Sequence, residues 1–170
     1  MTRQDQMYKW FIYTLGLLPI WILDAYLLGR YPIFGIKPLL LPLAVAAVAV
    51  MEGATAGAGF GLGVGLLWAL GYPSGGSGMV LFLTLAGMAV GIIAQYALTQ
   101  GFVGCLLCSA GVVAALEALQ IAWGLFTQAA PLAILLETAA KEFFGSLLWT
   151  PLVYLVFRAV FRRVGLDKLA

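Results

Sequence analysis

Residues 38–70 are PLLLPLAVAAVAVMEGATAGAGFGLGVGLLWAL, a run of 33 residues in which Glu52 is the single charged side chain. As one helix, this run would be about 50 Å long, well beyond the ~30 Å of hydrocarbon in a bilayer. Glu52 followed by Gly53 is the one plausible break, because glycine commonly interrupts helices. The run therefore predicts two short helices, at about 33–51 and 54–70, that fold back on each other.

The composition of the whole chain indicates a membrane protein. Of 170 residues, 64% are hydrophobic and 9% charged, against roughly 45–50% and 25% in soluble domains, and the mean hydropathy is +1.05. The chain contains no histidine, which excludes imidazole bases, Ser-His triads and histidine metal sites. A net charge of +2 is too small for a nucleic-acid partner. We expect one integral membrane domain, 1–170, that is not an enzyme and holds no cofactor or metal.

Four further apolar segments complete an all-α prediction of six transmembrane helices. They cover about 8–28, 79–98, 102–126 and 143–161. Before the last one, PLAILLETAAKEFF (131–144) places apolar residues on one helical face and Glu137, Thr138, Lys141 and Glu142 mostly on the other. This pattern predicts an amphipathic helix at the membrane interface, either a solvated linker or a partner-binding surface.

Basic residues predict the orientation. Arg158, Arg162, Arg163 and Lys168 follow or end the last apolar segment, which places the C-terminus in the cytoplasm by the positive-inside rule. Five and six spans satisfy that rule equally well. Helix length favours six, so both termini are predicted on the cytoplasmic side of a plasma membrane.

Glycines recur every four residues in the third predicted helix and more weakly in the fourth. Such small-xxx-small spacing lets helix backbones approach closely in lipid. The spacing favours packing inside the bundle, with contact to another subunit as the alternative. Gly59 and Gly63 lie on roughly the opposite face, which predicts a helix packed on both sides. The candidate packing or partner-binding residues are Gly53, Gly57, Gly61, Gly65, Gly87 and Gly91.

Polar side chains at membrane depth are costly and therefore are candidate functional residues. They are Asp24, Glu52, Glu117 and Gln120. Glu117 is in the middle of a predicted span, with Gln120 one turn further on. The absence of a second acid, Lys or Arg at mid-span favours a structural, hydrogen-bonded role for Glu117 over a proton relay or ligand site. Asp24 is near the end of its span, and Glu52 marks the helix break.

The two cysteines, Cys105 and Cys108, have the CxxC spacing but lie inside an apolar segment. We therefore expect small packing residues rather than redox or zinc chemistry.

The order of four segments resembles the rod shape-determining membrane protein family MreD over about 31–163. These are a proline-marked KPLLLPLAV, a glycine-rich GAGFGLGVGLL, the turn and span PSGGSGMVLFLTLAGMAVGIIAQY, and a final LLWTPLVYLVFRAVFRR. The family commonly has an aspartate at the end of the glycine-rich helix, where this chain has Ala69. No function of a carboxylate is therefore expected at that position.

The resemblance implies a nonenzymatic subunit of the bacterial cell-elongation machinery, which supports rod shape and peptidoglycan synthesis at the plasma (inner) membrane. Its implied partner is an MreC-like single-pass membrane protein. Through that partner it would contact MreB and a RodA-type polymerase indirectly, and membrane lipid would surround it.

The alternative is the substrate-binding S component of an energy-coupling-factor vitamin transporter, which is similar in its six short, glycine-rich helices. Such a subunit needs a pocket with converging polar groups and often has an alanine-xxx-alanine face on its first helix. Here Ala25 is the only alanine of that helix, and polar groups at membrane depth are few.

Overall fold

The structure is a computed structural model that describes residues 3–28, 38–71, 76–96, 101–129 and 131–166. This part of the chain is all-α, with six helices. They are α1 (Arg3–Ile22), α2 (Leu40–Glu52), α3 (Ala54–Gly71), α4 (Gly76–Tyr96), α5 (Phe102–Phe126) and α6 (Leu132–Leu166). A π-helical segment, Leu23–Leu28, continues α1. The prediction of an all-α chain is confirmed.

Several helices are long and apolar enough to cross a membrane. Three reach the length of a full span: Gly78–Tyr96, Phe102–Phe126 and Leu132–Arg163. Two are apolar but shorter, Leu40–Glu52 and Ala54–Leu70. The prediction of six spans is thus confirmed only in part for the described residues, because α1 is not among these five helices.

The predicted break after Glu52 is present. Gly53 separates α2 from α3 and has a φ of +92°, a value that residues with a Cβ rarely adopt. The chain then folds back, so that Gly57 lies against Ala49 of α2. The predicted start of the first short helix, 33–37, lies outside the described residues, and α2 begins at Leu40.

Helix α2 is the centre of the bundle. Every residue from Leu40 to Val50 is buried, and the helix contacts α1, α3, α4, α5 and α6. A helix that is hydrophobic all round requires neighbours on all sides. Its alanines at 44, 46, 47 and 49 leave room for those neighbours to come close.

The C-terminal region differs from the prediction of a separate interfacial helix before the last span. A single helix, α6, runs through 35 residues from Leu132 to Leu166, about 53 Å. Gly145 is the only glycine near the expected boundary, and one glycine costs only about 1 kcal/mol in a helix interior. The amphipathic segment is therefore the first three turns of α6, where Lys141 donates a hydrogen bond to Glu137 at 2.6 Å.

Candidate functional site

The glycines of α3 form a direct backbone contact with α4. A Cβ added to Gly57 would lie 2.5 Å from the carbonyl oxygen of Gly87, and one added to Gly87 would overlap the carbonyl oxygen of Gly57. Gly65, later in α3, lies against Val80, earlier in α4. The two helices are therefore antiparallel, and no side chain fits between them at these levels.

The remaining candidate glycines belong to the same contact. A Cβ on Gly61 would overlap the carbonyl oxygen of Leu83, and one on Gly91 would overlap the backbone of Ala54. Gly53 faces the side chain of Gln95. The sequence-predicted set is thus brought together along one surface, which we call the α3–α4 contact.

The opposite face of α3 is open. Gly63 has no atom within 4 Å of an added Cβ, and at Gly59 the nearest is a ring atom of Trp10 at 4.0 Å. The prediction that α3 is packed on both sides is therefore wrong for the described part of the chain. Glycine spacing indicates which face of a helix lacks side chains, but not whether another helix packs against that face.

Between α4 and α5 lies an apolar groove with a volume of about 470 Å³. Small residues line part of both sides, Ala86 and Ala89 from α4 and Gly111 and Ala115 from α5, among larger apolar side chains such as Phe82. Gly111 is exposed, and an added Cβ there would meet nothing within 4 Å. Sequence reasoning missed this groove, because one glycine among the many small residues of α5 gives little signal.

Asp24 is placed at the beginning of α2. Its side chain is 2% exposed, and its Oδ1 accepts a hydrogen bond of 3.2 Å from the N–H of Leu40. The N–H of Leu39 donates to Ser146 Oγ on α6 at 2.9 Å. The first N–H groups of a helix need acceptors, and here residues from two other helices supply them. No sequence signal marked Ser146 for this role.

Glu52 holds the other end of α2. Lys9 of α1 forms an ion pair with it, and the hydroxyl of the buried Tyr13 donates to Glu52 Oε1 at 2.8 Å. Because Lys9 is near the start of α1 and Asp24 follows its end, α1 and α2 are antiparallel. Both carboxylates that flank α2 thus have partners on neighbouring elements.

Glu117 and Gln120 are not brought together. Gln120 is exposed, whereas Glu117 is 7% exposed and lies near Glu142 of α6. Glu117 Oε1 has no hydrogen-bond partner in the described structure. Glu117 is the one acid of α5, as expected, and its neighbouring acid comes from another helix. Glu142 was missed because the sequence assigned it to a separate interfacial helix.

The cysteines of α5 are both buried and unpaired with each other. Cys105 Sγ lies 4.0 Å from Ser109 Oγ, and Cys108 lines the groove. Among the described residues, no group of three or more His, Cys, Asp or Glu side chains could hold a metal ion.

No protein-family model, curated protein or solved structure matches the chain. Inferences about its function therefore depend on the sequence pattern and on the geometry described above.

Proposed function

We propose that this chain is a nonenzymatic membrane scaffold subunit of the bacterial cell-elongation complex. In this proposal it resides in the plasma membrane and binds the single transmembrane helix of an MreC-like partner. Through that partner it acts on MreB and a RodA-type peptidoglycan polymerase. The order of the four segments that resemble the MreD family motivates the assignment.

The proposal includes six membrane crossings with both termini in the cytoplasm. Three pairs of successive helices are antiparallel by their contacts: α1 with α2, α2 with α3, and α3 with α4. In α5 and α6, Glu117 lies beside Glu142 and Gly124 beside Leu135, which is also antiparallel. Reporter fusions at both termini test this topology, and an extracytoplasmic N-terminus with a cytoplasmic C-terminus would contradict it.

The short helix α2 is compatible with this topology despite a length of only about 20 Å. Within a bilayer, the ends of a helix must have their backbone groups satisfied by protein. Asp24 and Ser146 supply acceptors at the start of α2. Since α2 is surrounded by other helices, its ends need not reach the two lipid interfaces by themselves.

The groove between α4 and α5 is the observation that carries the partner-binding proposal. Helices associate in lipid where small residues let their backbones approach. Ala86, Ala89, Gly111 and Ala115 provide such positions, and none of the described helices fills the groove between them. We assign the partner's transmembrane helix to this groove. In contrast, the α3–α4 contact is already filled from within the chain.

The same groove gives little support to a vitamin transporter. Small-molecule pockets combine apolar walls with a few converging polar groups, whereas the residues lining this groove are apolar apart from the Cys108 thiol. An apolar surface suits a helix better than a polar vitamin.

The test is co-purification of the MreC-like partner with Gly111→Leu. Leucine should fill the groove, so we expect the partner to be lost while the isolated protein keeps its thermal stability. Gly63→Leu is the matched control, because Gly63 is also an open helical glycine but lies outside the groove. Retention of the partner by Gly111→Leu would reject the interface. Micromolar or tighter binding of a vitamin-like ligand by the purified protein would reject the scaffold function itself.

A further inference from the structure

The end of α5 and the start of α6 extend beyond the rest of the bundle. Ser146 of α6 accepts the hydrogen bond of the Leu39 N–H, so α2 begins at the level of Ser146. Helix α6 itself begins at Leu132, about 21 Å further along its axis. In contrast, α3, whose Gly57 lies against Ala49 of α2, extends only about 6 Å past the start of α2.

The burial pattern shows the same projection. From Gly104 to Glu117, α5 has buried residues in every turn. Among the described residues of 118–138, Gly124 alone is buried, and it lies against Leu135 of α6. In this part, which we call the α5–α6 tip, the two helices pack on each other and on no other described helix.

The α5–α6 tip is apolar and exposed. Between 118 and 138, Glu137 is the one charged residue. Trp123 is 69% exposed and Phe126 is 82% exposed, and Leu119 and Ile134 are also exposed. Soluble surfaces rarely leave such a contiguous apolar patch in water. We therefore expect another molecule to cover the tip.

Lipid reaches only part of the tip. Residues 143–157 of α6 are uncharged and about 23 Å long. Together with the stems of Lys141 and Arg158 at their two ends, they match the ~30 Å hydrocarbon core. The headgroup layer adds about 5–8 Å on each side, whereas Leu132 lies about 14 Å beyond Lys141. A protein surface must therefore cover the end of the tip.

Three residues of the tip continue the α5 wall of the groove. Helix positions about three turns apart share a face, because a turn has 3.6 residues. This spacing relates the groove residues Cys108, Gly111 and Ala115 to Leu119, Ala122 and Phe126, in that order. All three tip residues are exposed. The ring of Trp123 lies 6.2 Å from that of Phe126 and widens this surface. A straight helix in the groove therefore reaches the tip.

We propose that the partner's transmembrane helix continues unbroken beyond the membrane and packs on Leu119, Trp123 and Phe126. In the proposed topology, this contact is on the extracytoplasmic side. The continuing segment is amphipathic, with large apolar side chains toward α5 and polar ones toward water. This inference rests on the proposed function, because the groove positions the helix that then reaches the tip.

The experiment is photocross-linking in membranes that contain the full chain and the co-expressed MreC-like partner. Benzoylphenylalanine replaces Leu107 at the groove or Phe126 at the tip. In the control it replaces Phe144, which is 70% exposed and lies on the face of α6 opposite the buried Ser146. We expect the partner to be cross-linked from Leu107 and Phe126 but not from Phe144.

The spacing of the cross-linked partner residues tests whether that segment is helical. Leu107 and Phe126 are about 28 Å apart along α5. A continuous partner helix places its two cross-linked residues about 19 positions apart, whereas an extended segment places them about nine apart. A spacing near nine would overturn the inference.

The cross-linking pattern also separates this inference from the proposed function. A cross-link to the partner from Leu107 but not from Phe126 would overturn the contact at the tip and leave the groove interface intact. No cross-link from either position would reject both. Cross-linking of Phe126 to lipid instead of the partner, or an equal cross-link from Phe144, would overturn the contact at the tip as well.

Substitution gives a second measurement of the same contact. Phe126→Gln should lower the amount of co-purified partner several-fold, because it removes an apolar ring from the tip. Phe144→Gln makes the same change at an exposed ring outside the surface and should leave that amount unchanged. Equal amounts of partner with the two variants would overturn the proposal.

Discussion

Helix α4 has small residues on two faces, and these faces have different surroundings. On one face, Gly87 and Gly91 contact the backbone of α3 so closely that no Cβ fits. On the other, Ala86 and Ala89 line a groove about 470 Å³ in volume. The difference shows that the spacing of small residues indicates how closely another helix can pack against α4. It does not indicate which helix packs there.

The connections of the fold explain part of this difference. Helices α3 and α4 follow each other in the chain and pair along much of their length. Helix α5 also follows its neighbour α4, but it packs mainly on α6 and α2. Its small residues at the groove therefore remain without a helix against them in the described structure.

The largest effect is expected from Gly61→Leu in the α3–α4 contact. The new side chain would collide with the backbone carbonyl of Leu83, which cannot move without displacing α4. Overpacking costs typically 1–3 kcal/mol, and we expect at least about 3 kcal/mol here because backbone rather than a flexible side chain is displaced. The measurement is the free energy of unfolding of the isolated protein in detergent.

Gly63→Leu is the control for this prediction, since it makes the same change two residues away on the open face of α3. It should leave stability nearly unchanged. If Gly61→Leu were as stable as Gly63→Leu and lost only the partner, the α3–α4 contact would not be the tightly packed side of α4.

A smaller loss of stability is expected from a substitution at Ser146, which fixes the start of α2. Helix α2 contacts both α4 and α5, so its position bears on both surfaces of α4. Ser146→Ala removes the acceptor of the buried Leu39 N–H. Leaving a buried donor unsatisfied costs about 1–3 kcal/mol, so the midpoint of thermal unfolding should fall. A shift of α2 would also alter both surfaces of α4.

Thr150 provides the matched control one turn further along α6. It is 1% exposed, and its hydroxyl oxygen has no hydrogen-bond partner in the described structure. Thr150→Val replaces this hydroxyl with a methyl group of similar size and should therefore cost less than Ser146→Ala. Equal losses would show that burial, and not the bond to Leu39, determines the effect.

The fold-back at Gly53 was predictable because a 33-residue apolar run is too long for one span. The length and composition of this run, and the positions of the glycines on α3, follow from the sequence of the segment itself. The end of the amphipathic segment was not predictable in this way. Whether a helix continues past Gly145 depends on its packing against α5 as much as on one residue's propensity.

The polar contacts were less accessible to sequence reasoning because they join distant positions. Glu52 was recognised as a break, yet its partners Lys9 and Tyr13 are about 40 residues away. Glu117 was recognised as a costly side chain, but Glu142 comes close only if α6 is continuous. A pattern within one helix identifies a polar group without identifying what satisfies it.

The smallest predicted effect is that of replacing a glycine with alanine. This substitution should raise stability in the groove and lower it in the α3–α4 contact, so it tests the difference between the two surfaces directly. At Gly111, alanine adds a methyl group that meets nothing within 4 Å, and helix propensity favours alanine over glycine by up to about 1 kcal/mol. Gly111→Ala should therefore raise stability slightly. At Gly57, the same methyl group would lie 2.5 Å from the carbonyl oxygen of Gly87 and 2.7 Å from Ala49 Cβ. It is blocked by α4 and α2 at once, so the steric cost should exceed the gain in propensity and Gly57→Ala should lower stability. Unfolding of both variants in one detergent measures the two signs, and a shared sign would mean that the groove and the α3–α4 contact do not differ in packing as described.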